Sequence, residues 1–534
     1  MTPAVAPTDD SSIDQHLAYY AATRPEIVAV WCSRFTWTYG ELEHQVARYA
    51  SLITDQGIGP GDVIAVFANS RPECLVVFLA CCRTGALYLG LNPKYRLPEL
   101  EFVCADARPG LVFVLPDASM GPEVMTAIGE LTVNLPPTTV VVISDGADFA
   151  TPHLDLDTLV ERASPDRRIG SDERSLRRPC AIVYTSGSTG QPKGALLHEH
   201  GAVRSARLSW RYWYGGIEPV RTVVQHPVNH VGWLVCECVA GLVAGGSLYF
   251  KERFDGGATL RLIDRHALNL WVAFPTMLRL AMQSPDWHTC DLRSLRRIAL
   301  GTAPEVEILR QFRERSDAIF CVSYGLTEAH GGAVTVTGNA ASLQEVAGSI
   351  GRPVPGVELR IADLTGQDVP AGQAGELLVR DSTVFLGYLN RPDATAHSID
   401  AGGWLHTGDV AVVNATGDLH LVGRIKEMYK SGGYNVYPPE IEKVIASYDD
   451  VVQVAVVGAP DPLWESVGVA FLVVGNTDHF SVPSFTAFVR SQLANYKVPK
   501  RFEFLEAMPQ LPNGKVDRVE LRKRAARLVG SDSR

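Results

Sequence analysis

Residues 61–91 read GDVIAVFANSRPECLVVFLACCRTGALYLGL. An apolar run bounded by Gly-Asp predicts a strand, Pro72 opens a helix that stops before Gly85, and a second apolar run predicts another strand. Two strands joined through a helix run parallel, so this chain must build a parallel sheet. The same alternation returns in HALNLWVAFPTMLRLAM and in LRRIALGTAPEVEILRQFRE. The first two-thirds of the chain therefore predict an α/β fold with layered sheets and helices. At 534 residues the chain exceeds one core and predicts several domains.

From about residue 345 to 424, short strands and Gly/Pro turns take over, as in GRPVPGVELRIAD, GELLVR and GDLHLVGR, and predict antiparallel β structure. Beyond Arg424 the mixture of VVQVAVVGAP, VGVAFLVV and SFTAFVRSQLANY predicts a small α+β domain. The run Gly232–Phe250, GWLVCECVAGLVAGGSLYF, has the length to span a bilayer, but it carries Glu237 and four glycines. A buried helix, a turn and a strand fit it better, so no membrane span is expected.

A net charge of −10 argues against a nucleic-acid partner, which needs a basic face. Ten scattered cysteines with no CxxC pair favour neither a disulfide framework nor a zinc site. The Cys236-Glu237-Cys238 triplet lacks partner ligands for a metal. The N-terminal MTPAVAPTDDSS has neither a basic start nor an apolar core, so a signal peptide is not expected and a reducing, cytoplasmic setting is.

The stretch YTSGSTGQPKG, Tyr184–Gly194, follows the apolar CAIV and precedes another strand. Counted from Gly187, the position where a Walker A loop needs glycine holds Pro192, and the dinucleotide fingerprint fails as well. The chemistry nevertheless suits polyphosphate. Glycines let backbone N–H groups approach oxygens, hydroxyls donate, and Lys193 supplies charge. Alone, the stretch is equally readable as a turn between strands.

Four further motifs accompany it: YGLTE at Tyr324–Glu328, GWLHTGD at Gly403–Asp409, GRIKEMYKSGGYNVYPPEIE at Gly423–Glu442 and LPNGKVDR at Leu511–Arg518. In this order and spacing the set resembles the adenylate-forming superfamily, which comprises acyl- and aryl-CoA synthetases, peptide-synthetase adenylation domains and beetle luciferases. The resemblance spans nearly the whole chain, and KSGGYNVYPPEIE looks like the acyl-CoA synthetase branch. It implies a large N-terminal domain, 1–424, whose segment 345–424 is a distorted β-barrel. It also implies a small mobile α+β domain, 425–534, with its hinge at Lys426.

The resemblance also implies residue roles. ATP activates a carboxylic acid as acyl-AMP, and the thiol of coenzyme A then displaces AMP. Thr185, Ser186, Gly187, Ser188, Thr189, Gly190 and Lys193 would hold the β- and γ-phosphates. Glu328 would ligate Mg²⁺, and Thr327 would touch the α-phosphate. Gly301, Thr302, Ala303 and Tyr324 would cradle adenine. Asp409 would accept the ribose hydroxyls beside Arg424, and Lys515 would stabilise charge at the reacting carboxylate. Asn229, His230, Trp233, Gly325, His330 and Gly331 would form the acyl pocket. Lys430, Gly432, Gly433 and Tyr434 would line the thiol tunnel. An acyl carrier protein in place of CoA, or a chain in which one half-reaction dominates, are the alternatives.

Some positions depart from the pattern. HPVNHVGWL keeps His230 but has Asn229 where an aromatic residue is common, and Tyr429 and Tyr434 are unusual in their motif. The glycines after YGLTE and the aromatic Trp233, with no acidic residue to greet an amino group, predict a bulky, mostly apolar acid.

Overall fold

The computed structural model describes residues 6–117, 120–136, 139–144, 153–164, 176–185, 192–363, 365–431, 434–475, 480–511 and 515–531. Ser186, Gly187, Ser188, Thr189, Gly190, Gly432 and Gly433 lie outside them.

The expected strand, helix and strand are Val63–Ala68, Pro72–Thr84 and Leu87–Leu91, with the two strands parallel and Val63 opposite Leu87. Pro72 starts the helix, and Gly85 ends it in the left-handed conformation at φ 88°. Every residue of that helix is buried, as is every residue of both strands. This is why the stretch reads as one almost unbroken apolar run rather than as alternating faces.

The chain divides into two compact units. One comprises residues up to 359 together with Val379–His406; the other comprises Arg360–Leu378 and the chain from Thr407 onward. The first unit holds two large sheets. A seven-stranded sheet carries the strands just named and ends in an antiparallel hairpin, Pro179–Thr185 with Lys193–His198. In the nine-stranded sheet the strands Ile319–Tyr324, Arg297–Leu300, Leu270–Ala273, Arg221–Val224 and Ser247–Phe250 lie side by side and parallel. Around this second sheet pack Trp271, Leu278, Leu309 and Phe312, all fully buried.

The apolar run Gly232–Phe250 is a buried π-helix over Gly232–Val239, an α-helical turn over Ala240–Val243 and the strand Ser247–Phe250. No helix among the described residues is long and apolar enough to cross a membrane. All ten cysteines are buried and unpaired.

A four-stranded sheet made of Glu358–Ala362, Gly375–Arg380, Leu405–Val413 and Leu419–Arg424 occupies the turn-rich segment. Its residues 360–378 and 407–424 group with the second unit rather than ending at the expected 424 boundary. That unit also holds a five-stranded sheet under the helices Pro438–Ala446, Val482–Gln492 and Arg518–Ser531. Tyr429 packs there against two glycines. A Cβ on Gly458 would stand 2.6 Å from that of Tyr429, and one on Gly468 would collide with the phenol oxygen.

Candidate active site

In an open parallel sheet, ligands bind beyond the carboxyl ends of the strands. The nine-stranded sheet brings four segments to that edge. Gly301–Ala303 follow Arg297–Leu300, Tyr324–Glu328 close Ile319–Tyr324, Phe274 follows Leu270–Ala273, and His226–His230 follow Arg221–Val224. Tyr324 is buried, while Thr302 and Ala303 are exposed.

The glycines are there because backbones meet. A Cβ on Gly325 would overlap the carbonyl oxygen of Gly331. Gly331, at φ 74°, faces Val231 and Cys236, with 3.0 and 3.1 Å left for a Cβ. The loop after YGLTE therefore lies against the His230 segment and the π-helix. On the opposite side the ring of Phe274 crowds Gly301, leaving 2.7 Å for a Cβ. His230 Nδ1 accepts the Gly232 N–H at 3.0 Å, which orients its ring. Asn229 Nδ2 donates to the Tyr95 hydroxyl at 2.9 Å, and Asn229 Oδ1 is buried without a partner among the described residues. Trp233 is fully buried, stacks on Tyr88 at 6.1 Å and donates to Ser70 Oγ at 3.0 Å.

His330 is a tether. Its backbone is left-handed at φ 58°, Nδ1 donates to the Thr383 carbonyl at 2.6 Å, and Nε2 accepts the His198 N–H at 2.9 Å. Burial, with His198 nearby, pushes its pKa down to about 3, so the ring is neutral.

In the hairpin of Pro179–Thr185 and Lys193–His198, Thr185 and Lys193 face each other across the two strands. Lys193 Nζ lies 5.1 Å from the centre of the Tyr388 ring. The Tyr388 hydroxyl donates to Glu328 Oε1 at 2.6 Å. Burial, followed by the Glu328 charge, pushes the Tyr388 phenol far up, so it stays a donor. Thr327 and Glu328 form a short 3₁₀ turn, and the Phe385 N–H caps the Glu328 carbonyl at 2.9 Å.

In the second unit, Asp409 and Arg424 are register partners on adjacent antiparallel strands and form an ion pair at 2.8 Å. Asp409 is 5% exposed, and the Arg424 side chain is 58% exposed. Lys426 lies in the turn after that strand, where the Met428 N–H returns to the Arg424 carbonyl. Lys430 and Tyr434 lie on the hairpin strands Tyr429–Ser431 and Tyr434–Val436, and Tyr434 stacks on Tyr496 at 4.5 Å. Lys515 is exposed, and its carbonyl accepts the Leu511 N–H at 2.7 Å.

The model of the AMP-binding enzyme family matches residues 17–389, and that of the AMP-binding enzyme C-terminal domain matches 440–515. The chain belongs to the AMP-binding enzymes. Feruloyl-CoA synthase of Amycolatopsis sp is 34% identical over 94% of this chain and 97% of its own length. Indoleacetate–CoA ligase of Aromatoleum aromaticum is 33% identical, with 96% and 98% covered. The ATP-bound structure of MatB from Rhodopseudomonas palustris matches with TM-score 0.85 and 27% identity, over 97% of this chain and all of that one. The chain is thus an AMP-forming acyl-CoA synthetase of the adenylate-forming superfamily, using a carboxylic acid, ATP and CoA.

Two features of this synthetase escape its sequence motifs. Tyr388 lies 60 residues from Glu328, and the bridge between Ala195 and Tyr388, with backbone bonds from Leu389 to Gly194 and from Leu196 to Gly387, brings it to the strand Lys193–His198. The Glu237 of the Cys-Glu-Cys triplet binds His226 through a 2.6 Å bond. Among the described residues no three potential ligands converge on a metal.

Proposed function

We propose that this synthetase activates a bulky, mostly apolar carboxylic acid, of aryl, alicyclic or medium-chain type, and passes it to the thiol of CoA in the cytoplasm. The observation that carries this reading is the apolar surface at the sheet edge, where Val231 and Cys236 lie against Gly331 and Phe274 against Gly301.

The acid's carboxylate attacks the α-phosphorus of ATP, the bond to the bridging oxygen breaks, and pyrophosphate leaves. Lys193 and the loop hydroxyls hold the departing phosphates, and Thr327 touches the α-phosphate. Gly301–Ala303 and Tyr324 cradle adenine, and Asp409 with Arg424 takes the ribose. Lys515 sets positive charge against the developing negative charge. Glu328 offers a single carboxylate oxygen set, already oriented by Tyr388; hard oxygen donors completed by phosphate and water suit Mg²⁺. When bound, Mg²⁺ would spread the triphosphate charge. The C-terminal region then turns about Lys426, withdrawing Lys515 and bringing Lys430–Tyr434 to guide the pantetheine thiol, which displaces AMP from the acyl carbonyl.

The test is pyrophosphate release over a panel of apolar acids, with CoA, with a phosphopantetheinyl carrier, and with neither. Release with aryl or medium-chain acids and thioester with CoA is expected. Thioester with the carrier alone would overturn the CoA assignment, and preference for amino acids or short dicarboxylates would overturn the acid class.

A further inference from the structure

The chemistry above leaves the buried pair of Glu237 and His226 unused. Glu237 is 1% exposed and His226 6%. Glu237 Oε1 accepts His226 Nδ1–H at 2.6 Å, and Oε2 accepts the backbone N–H groups of Gln225 and His226, both at 3.3 Å. Three donors meet the charge of a carboxylate whose burial would otherwise be costly. The backbone amides alone would be served by a neutral glutamine. A carboxylate aimed at Nδ1 does something further: it fixes the ring and holds a proton on Nδ1, so that in the uncharged tautomer the lone pair lies on Nε2. Among the described residues Nε2 has no hydrogen-bond partner, and it is not one of the atoms sealed from solvent.

The location gives this open acceptor a purpose. The His226 ring stacks 6.4 Å from that of His230 and stands edge-to-face with Phe274 at 5.2 Å. Phe274 in turn crowds Gly301. His226 therefore lies between the pocket histidine and the glycine on the adenine side, on the same sheet edge. Glu237 reaches it from the π-helix, a widened helical form that recurs at functional sites.

We propose that His226 is a specificity residue of the acyl pocket. Its Nε2 accepts a hydrogen bond from a hydroxyl carried by an otherwise apolar acid, and Glu237 is its positioning residue. This rests on the preceding reading that this sheet edge holds the acid, and it narrows the substrate class to hydroxylated acids. A site built to bond a substrate hydroxyl discriminates strongly against the analogue that lacks it, because its own acceptor is then left unpaired.

The experiment uses matched acids with the full-length enzyme: para-hydroxycinnamate against cinnamate, para-hydroxyphenylacetate against phenylacetate, and omega-hydroxyoctanoate against octanoate. The readout is the ratio of kcat/KM for pyrophosphate release within each pair. The wild type is expected to favour the hydroxylated member of at least one pair by roughly 10–100-fold. His226→Phe, which keeps an aromatic ring beside Phe274, should bring that ratio close to unity. Glu237→Gln, which retains an oxygen for Nδ1 but not the charge, should lower the ratio several-fold, and it decides the matter if His226→Phe fails to fold in a thermal melt. A wild type that discriminates in no pair, or variants that keep the wild-type ratio, would overturn the proposal. Absence of pyrophosphate release with every acid is a separate result and would overturn the acid-activation reading itself.

Discussion

The Tyr388 hydroxyl donates to Glu328 Oε1 at 2.6 Å, and the same ring lies 5.1 Å from Lys193 Nζ. One aromatic side chain thus touches both the carboxylate assigned to Mg²⁺ and the lysine assigned to the phosphates. Tyr388→Phe keeps the ring beneath Lys193 and frees Glu328. A lost bond to a charged group costs about 1.5–3 kcal/mol, so kcat/KM for ATP should fall roughly 10–100-fold and the Mg²⁺ requirement should rise. A magnesium titration of pyrophosphate release reads both, and an unchanged titration would remove Tyr388 from the site.

Asp409→Ala should weaken ATP binding by roughly 10–100-fold, the loss of one charge-assisted contact to the ribose diol. The fold should survive, because the partner left behind, Arg424, is 58% exposed and remains solvated. Calorimetric titration with ATP checks this, and an unaltered affinity would exclude Asp409 from nucleotide binding.

Lys515 is exposed, so its truncation opens no cavity. Lys515→Ala should slow adenylation by roughly 10²–10³-fold, as when one preorganised charge stabiliser is removed. Thioester formation from supplied acyl-adenylate should change little. Equal losses in both half-reactions would contradict the alternation of Lys515 and the Lys430–Tyr434 segment.

His330 links stability to pH. Burial lowers its pKa from 6.5 to about 3 in the fold, and that of His198 to about 4. Between those values and 6.5 the unfolded chain binds more protons, so this contribution to stability is lost as pH falls from 6.5 toward 3. Glu199, raised by burial to about 7, acts in the opposite direction in wild type and variant alike. His330→Asn, which tolerates the left-handed backbone, should cost about 1–3 kcal/mol near neutrality through its lost bonds. It should also narrow the gap between urea midpoints measured at about pH 5 and about pH 7.5. An undiminished gap would exclude His330 as its source.

Local pattern made the parallel sheet legible. The Gly61–Leu91 stretch carries its own start and stop residues, and LRRIALGTAPEVEILRQFRE resolves into the strand Arg297–Leu300 and the helix Val306–Arg315. What stayed hidden depends on pairings distant in sequence. Tyr388 has no motif that ties it to Glu328, and residues 360–378 group with strands beyond 407 that lie distant from them in sequence. Glu237 was visible only as a charge in an apolar run, because its partner His226 lies in a loop eleven residues earlier.

Tyr429, unusual for its motif, occupies space that Gly458 and Gly468 leave vacant. The three positions therefore form one heritable unit. A C-terminal segment grafted from a relative with a small residue at 429 and side chains at the other two would fit as a block. Exchanging residue 429 alone would leave a void, and exchanging either glycine alone would drive atoms into the phenol ring. Chimeras cut between 429 and 458 should fail even when each parent folds, and those that carry all three together should not.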